Sequence, residues 1–147
     1  MAALGGAGRR NKGKRGEREI VDMLQPVVNE VYVAHGMEPP LLQRNLLQSD
    51  KGGCDVHGLA WIAPEVKFCE TYALAAWWEQ AERQAGSDKV PVLFYRRSRV
   101  DWLVMMRATL GPGCTTVATV SLGAFLTWFR MTLAWEVSRE AQKHGRT

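Results

Sequence analysis

Asp55, Glu65 and Lys67 are the residues whose types and spacing could do chemistry together. Asp55 lies in Gly53-Cys54-Asp55-Val56, and the other two in Trp61-Ile62-Ala63-Pro64-Glu65-Val66-Lys67-Phe68. Both runs are β-like, and Gly58-Leu59-Ala60 joins them, which predicts a hairpin. With its turn near Ala60, Asp55 faces Glu65 across the pair. Strand side chains alternate, so Glu65 and Lys67 share one face while Val66 and Phe68 take the other. Two acids and a base then converge on one patch. Two carboxylates can hold Mg²⁺ while the ion keeps waters and takes a phosphate oxygen. The chemistry expected is metal-dependent phosphodiester hydrolysis, in which the ion activates water and neutralises charge in the transition state. A lysine beside it orients the water or stabilises the developing charge. The structural alternative is a solvated hairpin face carrying a cross-strand ion pair.

Other residues could join such a site. Glu17 opens the apolar stripe of a helix, either as a partner of the helix dipole or as a site acid. Gln80 and Gln84 stand one turn apart near Trp77 and could contact a phosphate or a metal-bound water; they could equally be surface glutamines. Trp77 and Trp78 suit base stacking or core packing. Cys54, His57 and Cys69 have a zinc-like spacing, but structural zinc wants a closed set of four and no fourth ligand is evident.

These residues need elements to position them. Ile20, Leu24, Val27, Val28 and Val31 recur at helical spacing, which predicts a helix over 16–31, with Arg18, Glu19 and Asp22 turned outward. Residues 41–47 suit a first strand carrying Arg44, followed by a Gly-rich loop at 49–53. A second helix is expected over 71–85, closed by Gly86. Strands follow at 90–95, 102–106 and 115–120. Ser121 can cap a long helix reaching about residue 143. Its Leu122, Phe125, Leu126, Phe129 and Leu133 form one stripe for the chain's own core. Trp128, Met131 and Trp135 form a second, expected at a two-fold subunit contact.

The 147 residues suit one domain, 16–147, preceded by a flexible basic arm at 1–15 with Arg9, Arg10, Lys12, Lys14 and Arg15. The net charge of +4 and a pI near 9.2 favour a polyanionic partner. The arm reads as a phosphate contact or a solubilising tail. The loop Arg96-Arg97-Ser98-Arg99 reads as a second phosphate contact or a solvated hairpin end. No apolar run is long enough to cross a bilayer, and no signal-like segment opens the chain. Three cysteines without a close pair fit a reducing cytoplasm.

The order of these motifs resembles the PD-(D/E)xK nuclease superfamily, and within it the archaeal-type Holliday junction resolvases and their phage relatives. The resemblance covers about residues 12–107. It runs through Lys14-Arg15-Gly16-Glu17-Arg18-Glu19, Gly52-Gly53-Cys54-Asp55-Val56, Glu65-Val66-Lys67, Pro91-Val92-Leu93-Phe94-Tyr95-Arg96 and Trp102-Leu103-Val104. Cys54 stands where the superfamily pattern has proline. The resemblance implies an α/β fold with a central mixed sheet flanked by helices, restriction-endonuclease-like, here with an added C-terminal helix. It implies Mg²⁺, or Mn²⁺ as a substitute, held by Glu17, Asp55, Glu65 and the Val66 carbonyl. Lys67 would act on the water or the phosphate, and Gln80 would support the site. Ser49 would lie near the scissile phosphate and Arg44 near the site. The activity implied is paired nicking of four-way DNA junctions by a homodimer, and the cytoplasm implied is that of a prokaryote or a phage-infected cell. The alternatives are a restriction-like or repair nuclease on other DNA structures, and a basic nucleic-acid-binding module without catalysis.

Overall fold

A computed structural model describes residues 5–46 and 53–145. The first helix, α1, spans Gly6–Ala34. Two short strands follow, β1 (Gln43–Arg44) and β2 (Val56–His57), then β3 (Ile62–Phe68) and helix α2 (Leu74–Ala85). The chain continues through β4 (Val90–Arg96), β5 (Leu103–Thr109) and β6 (Thr115–Ser121) into α3 (Leu122–His144). The main sheet has the order β3-β4-β5-β6. β3 and β4 run parallel, joined through α2, whereas β4, β5 and β6 are antiparallel neighbours. The molecule is therefore α/β, with a mixed four-stranded sheet flanked by helices and a C-terminal helix, as expected.

The alternation of β3 and β4 explains the layers. Ile62, Val66 and Phe68 from β3, with Val92 and Phe94 from β4, join the large core beneath α1 and α3. Leu93 and Tyr95 turn the other way and meet Trp78 and Ala81 of α2. Trp78 is thus a core residue and not a stacking platform. On α1 the stripe Ile20, Leu24, Val27, Val28 and Val31 is buried as its spacing requires. Gly16 lets the helix lie against β3: a Cβ there would sit 3.1 Å from the Phe68 Cβ and 3.3 Å from the Trp102 ring. Its close approach sets the depth of the neighbouring Glu17.

Several boundaries match their local chemistry. The Ser121 Oγ accepts a hydrogen bond from the Ala124 N–H at 3.1 Å, capping α3. Gly86 closes α2 with φ of +62°. Gly111-Pro112-Gly113 turns β5 into β6, with the Leu110 N–H donating to the Cys114 carbonyl at 2.8 Å.

Three expectations differ from the structure. Residues 6–15, expected as a flexible arm, form the first turns of α1. Its basic side chains find partners on the sheet: Lys12 pairs with Glu70, and Lys12 and Arg15 lie 5.2 and 5.5 Å from the Phe68 ring. The first strand is only two residues long, and β2 pairs with it in place of forming a hairpin with β3. Gly58 turns the chain tightly over Leu41 and Leu42 at φ of +135°; a Cβ there would lie 2.7 Å from the Leu42 side chain. Third, the second stripe of α3 is divided. Trp128 packs against Trp61 and Phe125, whereas Met131 and Trp135 are 69% and 57% exposed.

Candidate active site

Asp55 and Glu65 come together without the predicted hairpin. The Asp55 N–H donates to the Pro64 carbonyl at 2.9 Å, so the segment before β2 runs alongside the middle of β3. The Asp55 Oδ2 accepts from the Val66 N–H at 2.7 Å, which fixes the carboxylate against the strand. Asp55 is 4% exposed and Glu65 1%. No N–H or O–H donor of another residue bonds to either oxygen of Glu65 among the described residues. A buried, unpaired carboxylate is costly if ionised. Burial, followed by the Asp55 charge, accordingly pushes its carboxyl up to about 9.

An open cleft passes this pair. Its walls include Glu17, Asp55, Val66, Lys67, Gln80 and Gln84, and Arg9 and Cys69 reach its rim. Lys67 follows Glu65 on the same side of β3, as the alternation predicts. Gln80 is on the wall as expected. Gln84 has a role the sequence did not distinguish: its Oε1 accepts from the Gly53 N–H at 2.6 Å, tying the Asp55 segment to α2. Asn45 closes the other side, its N–H donating to the Asp55 carbonyl at 2.9 Å and its side-chain amide to the Cys54 carbonyl at 3.0 Å. Cys54 is buried with Ala63 and Ala85. Burial pushes its thiol up, so it is a packing residue.

Glu17 reaches the cleft from α1, but its carboxylate is engaged. The Arg44 Nε donates to its Oε2 at 2.8 Å, and both side chains are mostly buried, at 18% and 16% exposure for Arg44 and Glu17. Burial raises the Glu17 carboxyl; the Arg44 hydrogen bond opposes this, and the Asp55 charge adds to it.

The remaining cations divide by environment. Arg10, Lys14 and Arg15 are exposed on α1, and Arg97 and Arg99 on the β4–β5 turn. Arg96, expected at a DNA contact, is turned inward. Its Nη2 and Nε donate to Glu19 at 2.9 and 3.1 Å, and its guanidinium lies 4.0 Å from the Phe68 ring. Glu19, expected to face outward, also accepts from the Trp102 Nε1 at 3.0 Å. Neither spacing nor composition connects residues 19, 96 and 102; only the Arg15–Glu19 pair, four residues apart, was visible in the sequence. Ser49 lies outside the described residues.

The donor set can be tested against Mg²⁺. Among the described residues no three His, Cys, Asp or Glu side chains close into a metal-holding group. What is present is a buried pair of carboxylates, one with both oxygens unpartnered, beside Glu17, which Arg44 occupies. Oxygen-only donors of this kind suit a hard cation that retains several waters. Asp55 and Glu65 are the residues that could hold Mg²⁺ or Mn²⁺, with Glu17, whose Oε2 Arg44 already holds, as a further donor. His57 is exposed on β2, so the zinc alternative gains no converging ligand.

No protein-family model matches this sequence, and no curated protein matches it.

Proposed function

We propose that the chain is a divalent-metal-dependent endodeoxyribonuclease whose substrate is branched DNA, above all a four-way junction. The observation that carries this reading is the Asp55–Glu65 pair: Asp55 lines the cleft, and Glu65 lies beside it, 1% exposed and reached by no N–H or O–H donor among the described residues. Two carboxyl groups buried against each other, with no donor supplied to Glu65, are a costly arrangement for a purely structural site. A cation supplies the missing partner, and when bound it would activate water and neutralise charge on the phosphate.

The chain's own residues define the rest of the site. Asp55 is held by the Val66 N–H, so its free oxygen has a set direction. Lys67 offers an ammonium to a phosphate oxygen or to the attacking water. Gln80 lines the cleft and offers its amide to a phosphate or a bound water, and Gln84 holds Gly53, which ties the segment carrying Asp55 to α2. Arg9, Arg10, Lys14 and Arg15 extend along α1 past the cleft and suit contacts to the backbone of a nucleic acid.

Paired nicking of a junction needs two sites, which favours a homodimer. The exposed Met131 and Trp135 on α3 support such a contact. A second reading, a basic nucleic-acid-binding module without catalysis, draws support from the lack of a third free carboxylate among the described residues. One assay separates them. Wild-type protein is incubated with a four-way junction, a flap and a linear duplex, with Mg²⁺, Mn²⁺ or Ca²⁺. Cleavage of the junction with Mg²⁺, lost in Glu65→Gln, is expected. Binding of all three without cleavage in any metal favours the module.

A further inference from the structure

Arg44 holds Glu17 at 2.8 Å, in an ion pair mostly withdrawn from water. Its strand places it beside the site: Arg44 pairs with Val56, the residue after Asp55, and the next residue, Asn45, hydrogen-bonds to the Asp55 carbonyl. Three carboxylates, Glu17, Asp55 and Glu65, therefore neighbour one another with Arg44 bonded to one and Lys67 close by. A guanidinium bonded to one oxygen of Glu17 repels a divalent cation approaching the other, so the ion pair as it stands opposes metal binding. The geometry also suits an alternative partner for Arg44, since its planar fork matches a phosphate as well as it matches a carboxylate.

We propose that Arg44 is an exchangeable counter-ion: it neutralises Glu17 in the empty site and transfers to a DNA phosphate on binding, which frees Glu17 for the metal and makes metal and DNA bind cooperatively. The proposal rests on the metal-site reading above and adds to it a positioning role for Arg44. Its consequence is reciprocal. DNA tightens metal binding, and metal tightens DNA binding by the same factor. The empty protein has weak metal affinity because the charge of Arg44 beside Glu17 opposes the ion. Away from DNA the site is then mostly unloaded, which confines hydrolysis to bound substrate.

The test is calorimetric titration with Ca²⁺ of wild type, Arg44→Gln, Glu17→Gln and the double variant. Each is titrated alone and with a synthetic four-way junction, after subtracting the Ca²⁺ that the DNA binds by itself. In wild type the junction is expected to tighten Ca²⁺ binding about tenfold, within the usual range of coupling between sites. In Arg44→Gln, Ca²⁺ binds about fivefold more tightly without DNA, and the coupling shrinks to about twofold or less. In the Glu17→Gln background, Arg44→Gln changes Ca²⁺ affinity little, because the carboxylate it guarded is gone. Arg44→Lys keeps the charge but loses the fork, and is expected to retain only part of the coupling. It replaces Arg44→Gln if circular dichroism shows that variant unfolded.

If Arg44→Gln binds Ca²⁺ no more tightly and retains the full coupling, Arg44 is a fixed structural partner and the exchange is wrong. The same conclusion follows if its effect is equally large in the Glu17→Gln background, since that would be general charge repulsion. The metal-site reading is judged separately, by Glu65→Gln. Ca²⁺ binding in wild type that is lost in Glu65→Gln upholds that reading whatever Arg44 does. No Ca²⁺ binding in wild type, with or without DNA, overturns both.

Discussion

Two acidic clusters sit near the N-terminal half of α1, and they are built in opposite ways. Around Glu19 every charge is answered: Arg96 forks onto both carboxylate oxygens, Trp102 donates an indole N–H, and Arg15 adds a third donor. Around Glu65 the carboxylate is deeper, yet neither oxygen has a partner. The first cluster joins α1 to the β4–β5 turn and serves architecture. The second holds a buried carboxyl, kept protonated by its surroundings, that no donor satisfies and that a cation could take. A satisfied network and an unsatisfied one, built from similar residues a short distance apart, separate what holds this fold from what the fold is proposed to do.

Neutralising the open cluster is the most severe way to break that contrast. Glu65→Gln or Asp55→Asn should reduce cleavage roughly a thousandfold, the scale of losing a principal source of transition-state charge stabilisation. Binding to the junction should persist in Ca²⁺, because the basic face of α1 is untouched. Single-turnover cleavage and gel-shift assays check the two halves. Full cleavage in either variant ends the assignment.

The closed cluster should respond in stability. Glu19→Ala leaves Arg96 and the Trp102 N–H without their acceptor and should cost about 2 kcal/mol, less than a fully buried pair because Glu19 is 29% exposed. Urea denaturation measures it. By contrast, metal-free Glu65→Gln should be as stable as wild type or more so at neutral pH. If the two variants lose equal stability, the clusters do not differ in kind.

The pH dependence sharpens the distinction. The Glu65 carboxyl stands near 9 in the folded protein and at 4.5 without its surroundings. Between those values the native state binds a proton that the unfolded state has released. Its contribution is therefore fully present below pH 4.5 and is lost as pH rises through about 9. Metal-free wild type should be less stable at about pH 8 than at about pH 5, and Glu65→Gln should flatten that slope. Mg²⁺ should oppose it, since the ion binds the ionised form. A metal-free wild type with no loss of stability across this range contradicts the buried, protonated state.

Smaller effects concern the outer surface. Removal of residues 1–12 should weaken DNA binding and flatten its salt dependence. It should change stability little, because that end of α1 carries no buried side chain among its described residues. An unchanged salt slope would make it a tail. If the proposed dimer forms through α3, Met131→Glu with Trp135→Glu should turn it into a folded monomer, with Trp128 left in place because it packs within the chain. Light scattering at micromolar concentration decides it. A dimer that survives the double change has its contact elsewhere.

Local rules reached far into this protein. The period of Ile20, Leu24, Val28 and Val31, the alternation along β3, the cap at Ser121 and the glycine stop at residue 86 are short-range chemistry, and each is readable from neighbours in the chain. They were enough to place Glu65 and Lys67 on one face and to expect the helices, the strands and a final helix; the mixed sheet was expected from the resemblance in motif order. Asp55 was matched to Glu65 by the right strand proximity but the wrong connection, because a two-residue pairing with β1 leaves no periodic signal. The start of α1 was also missed. A Gly- and Arg-rich segment has poor intrinsic reasons to be helical, and its order comes from contacts with Phe68 and Glu70, about sixty residues away in sequence. Only the tertiary structure decided that Glu19 turns inward, that Arg44 occupies Glu17, and that both oxygens of Glu65 are left without a partner. Residue types and spacing specify which charges exist and which way a strand or helix presents them. Whether a charge is answered depends on which distant side chain arrives beside it, and that is a property of packing.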